Sequence, residues 1–147
     1  MIRLKTRKVF IVLFIILLIE TSGCSNEDII RADRIVVEKR ITETNVYKPI
    51  NEIDDKSEIQ NVKDILDIIN WENVMVQMVR FPDYKFYFEN FNEESQSDRL
   101  TYHLWISPNK DKIELVIESK SKYIQLNKEK SIELFKIIVG KKLTEIK

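Results

Sequence analysis

Hydrophobic positions along the chain change period several times, and each change predicts an element. Arg34 to Ile41 is β-branched, with Ile35 and Val37 on one face and Val36 on the other. Val46 to Ile53 alternates less cleanly and contains Pro49, which has no backbone donor, so it is an edge strand or an irregular connection. Ile59, Val62, Ile65, Leu66 and Ile69 then recur at helical spacing, with Lys63, Asp64 and Asp67 largely opposite. Asp55-Lys56-Ser57-Glu58 has the spacing of a capping box, with Asp in place of Ser or Thr, and the helix should end near Asn70.

A strand-rich block follows. Asn73 to Arg80 puts Val74, Val76 and Met78 on one face, and Phe81-Pro82-Asp83 breaks the pattern with turn chemistry. Tyr84, Phe86 and Phe88 alternate with Lys85, Tyr87 and Glu89. Residues 90–99 form a polar loop. Leu100 to Ile106 and Lys112 to Ser119 alternate again, joined by the hairpin connection Ser107-Pro108-Asn109-Lys110-Asp111, and Tyr123 to Leu126 adds a short strand. The last helix starts after Asn127, an N-cap residue, and carries Ile132, Phe135, Ile138 and Val139 on its apolar face. Gly140 is its stop signal, and residues 141–147 are expected to fray. Strands joined by short links favour antiparallel pairing. The fold expected is α+β: an antiparallel sheet of about five strands with two amphipathic helices packed on one face.

The N-terminus stands apart. Arg3, Lys5, Arg7 and Lys8 precede an unbroken apolar run of 11 residues, Val9 to Ile19, followed by Glu20 and the small residues Thr21-Ser22-Gly23 before Cys24. This is the layout of an export signal. At about 1.5 Å per residue a helix of that length covers roughly 16 Å, against about 30 Å for a bilayer core, so it is a poor permanent anchor. Thr21-Ser22-Gly23-Cys24 resembles the lipobox of bacterial lipoproteins, although Thr21 stands where Leu is usual and Glu20 places a charge at the end of the apolar run. The organisation expected is a lipoprotein signal peptide over 1–23, a tether over 24–33 beginning at the lipidated Cys24, and one domain over 34–147. Residues 25–147 then lie on the extracytoplasmic side of the cell membrane.

Composition narrows the chemistry. The 147 residues include 24 basic and 24 acidic groups, and loss of residues 1–23 removes four bases and one acid, leaving a net charge of −3. No basic excess points to nucleic acid. One Cys and one His exclude a disulfide framework, a His pair and a multi-thiolate metal site, and two glycines leave no room for a phosphate-cradling loop. No cofactor and no metal are expected.

Trp71 after the first helix, Pro82-Asp83-Tyr84 with alternating Phe86 and Phe88, and Tyr102-His103-Leu104-Trp105-Ile106 lie within this strand–helix–meander–helix order. With the lipobox, the pattern resembles the small lipoproteins of bacilli called YhfM-like, over residues 34–140. The resemblance implies no enzyme activity and no assigned ligand.

Among the residues themselves, His103 shares a strand face with Trp105 and has no second His or Cys beside it in sequence. Asp54, Asp55, Asp64 and Asp67 read as helix-start and solvated charges rather than as a catalytic pair. Tyr87, His103 and Trp105 should lie on the sheet face away from the helices, partly accessible, as an aromatic platform for a sugar, a peptide or a protein. Three functions follow. The first is a lipid-anchored, non-enzymatic domain that binds an envelope protein or a cell-wall ligand through its sheet face or the loop at residues 90–99. The second is a small hydrolase using His103 and a nearby acid. The third is an inhibitory or protective envelope lipoprotein. Lipidation has a direct test: Cys24→Ser should remove the protein from the membrane fraction or stall it as an unprocessed precursor. Undiminished incorporation of radiolabelled lipid into that variant would disprove it.

Overall fold

The computed structural model describes residues 32–91 and 99–146. The signal peptide, Cys24, most of the tether and residues 92–98 of the polar loop lie outside them. Seven strands form one antiparallel sheet: β1 (Arg34–Arg40), β2 (Tyr47–Ile53), β3 (Glu72–Asn73), β4 (Tyr84–Glu89), β5 (Thr101–Ile106), β6 (Ile113–Ile117) and β7 (Lys122–Gln125). Helices α1 (Lys56–Ile68) and α2 (Lys128–Val139) complete the α+β fold. The spatial order is β2-β1-β4-β5-β6-β7-β3. The sheet thus has two strands more than the sequence pattern suggested, because β2 and the two-residue β3 both pair, one at each edge. Pro49 sits in β2, and the register with β1 shifts between Val37 and Glu38 beside it, as expected for proline on an edge strand.

Local chemistry starts and stops the helices. The Asp55 carboxylate accepts from the backbone N–H groups of Ser57 and Glu58, at 2.9 and 3.0 Å, satisfying two donors that the first turn of α1 leaves free. At the other end the Trp71 indole donates to the Leu66 carbonyl at 3.0 Å. The Asn127 side chain accepts from Lys130 N–H at 2.9 Å, and Gly140, at φ 72°, closes α2 with a bond to the Lys136 carbonyl. That left-handed conformation strains residues that carry a Cβ.

Both helices pack on the face that carries Ile35, Val37, Tyr84, Phe86, Phe88, Tyr102, Leu104, Ile113 and Leu115. Tyr102 stacks on Phe86, with ring centroids 4.8 Å apart, and Tyr84 meets Phe135 edge-on at 5.6 Å. On α2, Phe135, Ile138 and Val139 are buried as expected, but the apolar face is turned towards Ser131 and Leu134, which are buried as well, and away from Ile132, which is 39% exposed. The reason is a bonded serine. Ser131 Oγ accepts from Ile113 N–H at 3.0 Å and donates to the Leu126 carbonyl at 3.3 Å, tying α2 to β6 and to the end of β7. The C-terminal stretch does not fray as expected. Leu143 is buried in the core, and Lys110 Nζ donates to the Ile146 carbonyl at 2.6 Å.

One segment departs most from its sequence pattern. Residues 74–80 alternate like a strand, yet pairing stops at Asn73. β3 lies at the sheet edge and β4 near the middle, so the chain must cross β7, β6 and β5. Four inter-strand steps amount to about 19 Å, well within the roughly 33 Å that ten extended residues span. The helix-covered face is occupied, so the segment returns over the opposite one, where Val76 to Pro82 lie beside Trp105 and Val116.

The rotation of α2 can be measured. Phe135→Ala should destabilise the domain by about 3–5 kcal/mol, whereas Ile132→Ser should stay within about 0.5 kcal/mol of the parent. Denaturant unfolding of both variants decides; equal losses would place Ile132 in the core.

Candidate functional site

Antiparallel register fixes which side chains share the face away from the helices. Val36 pairs with Tyr87, Tyr87 with Thr101, Lys85 with His103, His103 with Val116 and Trp105 with Glu114. Tyr87, His103 and Trp105 therefore do lie on one face, as strand alternation implied. Their accessibility differs from expectation. Trp105 is only 4% exposed, and its indole N–H donates to the Arg80 carbonyl at 2.9 Å. The crossing segment covers it, so truncating Trp105 would remove packing as well as any contact surface. Tyr87 is half-buried beneath Arg99, whose guanidinium carbon sits 4.3 Å from the ring centre. Arg99 also pairs with Glu89 at 2.8 Å. The three rings do not form one continuous open platform.

His103 lies between these two covers. Its Nδ1 is 3.0 Å from Glu118 Oε1, and its ring meets Trp105 edge-on with centroids 6.1 Å apart. Burial lowers the His103 pKa below its ordinary value of 6.5, and Lys85 acts in the same direction, while Glu118 opposes both. Glu118 is largely exposed and belongs to the 3-10 turn Glu118–Lys120 that follows β6. The nearby acid that a catalytic His103 would need is thus in place, although Glu118 is 15 residues away and sequence spacing did not single it out.

The crossing segment makes a cleft of about 540 Å³ over this face. Val76, Met78, Phe81, Pro82, Trp105 and Val116 supply its apolar lining, with Glu118 at the side. The same segment exposes Val74 and Met75 before the cleft and Val79 and Phe81 at it, and Val79 is fully exposed. These four exposed apolar side chains fall within eight positions of one segment, and where such side chains adjoin they mark interaction sites. Sequence reasoning missed it because the alternation of residues 74–80 is that of a buried strand.

Polar side chains anchor the segment at its end. Asp83 Oδ2 accepts from Ile106 N–H at 2.8 Å, and Asp83 Oδ1 pairs with Arg80 and, at 3.5 Å, with Arg40. Arg80 also donates to the Ile106 carbonyl at 2.6 Å. Tyr47 donates its hydroxyl to the Pro82 carbonyl at 2.7 Å, and Lys85 Nζ lies 4.0 Å above the Tyr47 ring. The turn residues Phe81-Pro82-Asp83 were legible as a break, but this network was not.

Because the folded state disfavours protonated His103, that residue makes stability fall as pH drops. Its contribution is complete above 6.5 and is lost as pH falls below that value. Comparing urea unfolding at about pH 7.5 and about pH 5, His103→Gln should lose less stability than the parent. Parallel losses would show that the ring is protonated as readily folded as unfolded.

A solved structure described as a thioesterase-like protein from Clostridium sporogenes superposes with a TM-score of 0.51 at 12% sequence identity, covering 75% of this chain and 96% of that one. At that identity the likeness concerns the fold. No curated protein matches the sequence. The YhfM protein family model matches residues 29–144, which takes in all seven strands and both helices. The chain belongs to the YhfM family.

Proposed function

We propose that this protein is a membrane-anchored lipoprotein whose extracytoplasmic domain binds a partner and catalyses no reaction. The observation that carries the reading is the exposed apolar cluster Val74, Met75, Val79 and Phe81 on the crossing segment. Apolar side chains held in water by a well-anchored segment gain free energy when a partner covers them. The polar groups beneath are already engaged, as with the Trp105 indole and the Arg80 guanidinium, so burial rather than new hydrogen bonding would supply the affinity. A lipid on Cys24 and a short tether would keep this surface close to the membrane, within reach of an envelope protein or a cell-wall ligand. An inhibitory or protective role would use the same surface. Met75→Ser and Val79→Ser remove exposed side chains and should leave the melting temperature unchanged. In cells, a photoreactive residue placed at position 77 should crosslink a defined envelope protein, and both substitutions should sharply reduce that product. Equal crosslinking yield in the folded variants would overturn this use of the face.

A hydrolase using His103 is the second reading, and the 3.0 Å contact with Glu118 favours it. The fold likeness to a thioesterase-like protein makes an acyl thioester the first substrate to offer. Against it, the cross-strand and ring neighbours of His103 are Lys85, Val116, Trp105 and Glu118, none of them a hydroxyl or thiol. Turnover of an acyl thioester by the parent and not by His103→Ala would replace the first reading with this one.

A further inference from the structure

Four separate stretches of chain converge where β1 and β5 end and β4 begins. They enclose a cleft of about 290 Å³ whose polar lining is Lys39, Arg40, Arg80, Asp83, Ser107 and Lys110. Four of these side chains are cationic and one is a carboxylate. The carboxylate is already committed, since Asp83 holds Ile106 N–H, Arg80 and Arg40. Ser107 Oγ is likewise occupied within its hairpin, donating to Asp111 and accepting from the N–H groups of Asp111 and Lys112.

Arg40 is held differently from the rest. Its contacts are long: 3.5 Å to Asp83, 3.4 Å to the Thr42 carbonyl and 3.9 Å to Glu43, a fully exposed side chain. Its Nε is out of solvent and has no hydrogen-bond partner. A guanidinium carries five donors in a rigid fork, and leaving them unmatched out of water costs free energy. The cleft therefore has a surplus of positive charge: Arg80 is engaged by Asp83 and the Ile106 carbonyl, and Lys110 Nζ uses one of its three donors on the Ile146 carbonyl at 2.6 Å, so the loosely held Arg40 guanidinium and the Lys110 ammonium are the groups left to meet an anion. A phosphate group matches that surplus, with several oxygens around one centre and up to two negative charges.

We propose that this cleft binds a phosphate group, with Arg40 and Lys110 as its main contacts and Lys39 and Arg80 completing the positive field. The source is either a free phosphate or the phosphodiester headgroup of a membrane lipid, which a lipid-anchored domain would meet at high local concentration. The site is built from side chains other than those of the exposed apolar cluster, so it stands or fails independently of partner binding there.

Calorimetric titration of the full-length protein in non-ionic detergent tests it. The probes are inorganic phosphate and glycerophosphoglycerol, the water-soluble headgroup of phosphatidylglycerol. Saturable binding is expected for at least one, weakened about tenfold or more by Lys110→Gln and by Arg40→Gln. Tighter binding of phosphate identifies a free anion as the ligand; tighter binding of glycerophosphoglycerol identifies the lipid headgroup. Lys110 lies in the β5–β6 hairpin rather than the core, so its variant keeps the test valid if Arg40→Gln unfolds. The proposal is overturned if neither probe saturates, if a folded Lys110→Gln binds as the parent does, or if acetate at equal ionic strength gives the same heat.

Discussion

Asp83 ends the crossing segment and begins the middle of the sheet, and its backbone and side chain are both bonded to neighbouring strands. Its N–H donates to the Leu104 carbonyl at 2.9 Å, and its carbonyl accepts from Arg40 N–H at 3.0 Å. Its carboxylate takes the Ile106 N–H and both arginines. One residue thus joins β1, β4 and β5 at the point where the chain re-enters the sheet from the far edge. The constraint behind this is topological. A sheet that places β3 at one edge and β4 near its centre needs a connection across a face, and an irregular connection needs a fixed end to stay in place. With the end fixed, residues 76–82 hold their position over Trp105 without strand pairing.

The same topology shows what sequence pattern can and cannot reveal. Asp55, Asn127 and Gly140 were legible because a cap acts within one turn, through its own side chain or its own φ. The alternation of Tyr84, Phe86 and Phe88 was legible because the core face repeats every second residue. Residues 74–80 show the same alternation without the same cause, because their neighbours are set by a crossing that no local spacing encodes. Ser131 and Ile132 teach a related lesson. Hydropathy alone puts Ile132 inwards, but a buried serine with two backbone partners is as well accommodated as an isoleucine, and it determines the rotation of the helix.

For the candidate site, strand parity placed Tyr87, His103 and Trp105 together, and it could not say what lies above them. Arg99 over Tyr87 and the Arg80 carbonyl at Trp105 come from residues far along the chain. Glu118 was unreadable for the same reason: β6 pairs with β5, so a residue just past the end of β6 comes beside His103. The apolar residues that remain exposed are the ones for which the fold supplies no cover, and residues that resemble core in sequence but lie in water mark the surface on which function is sought.

Arg80 belongs to both sides of this arrangement. Its carbonyl receives the Trp105 indole under the apolar cleft, while its guanidinium reaches Asp83 and the Ile106 carbonyl in the basic one. It lines both clefts. Substituting Arg80 would therefore disturb the end of the crossing segment, the cover over Trp105 and the charge balance around Asp83 together, and neighbouring effects of that kind are not additive. Residues that touch one cleft alone are the informative ones. Val79 projects fully into water from the segment that Asp83 anchors, and Lys110 reaches the Ile146 carbonyl from a hairpin whose turn is held by Ser107. Each can change without loosening the Asp83 bonds, so the two clefts can be examined separately although one arginine joins them.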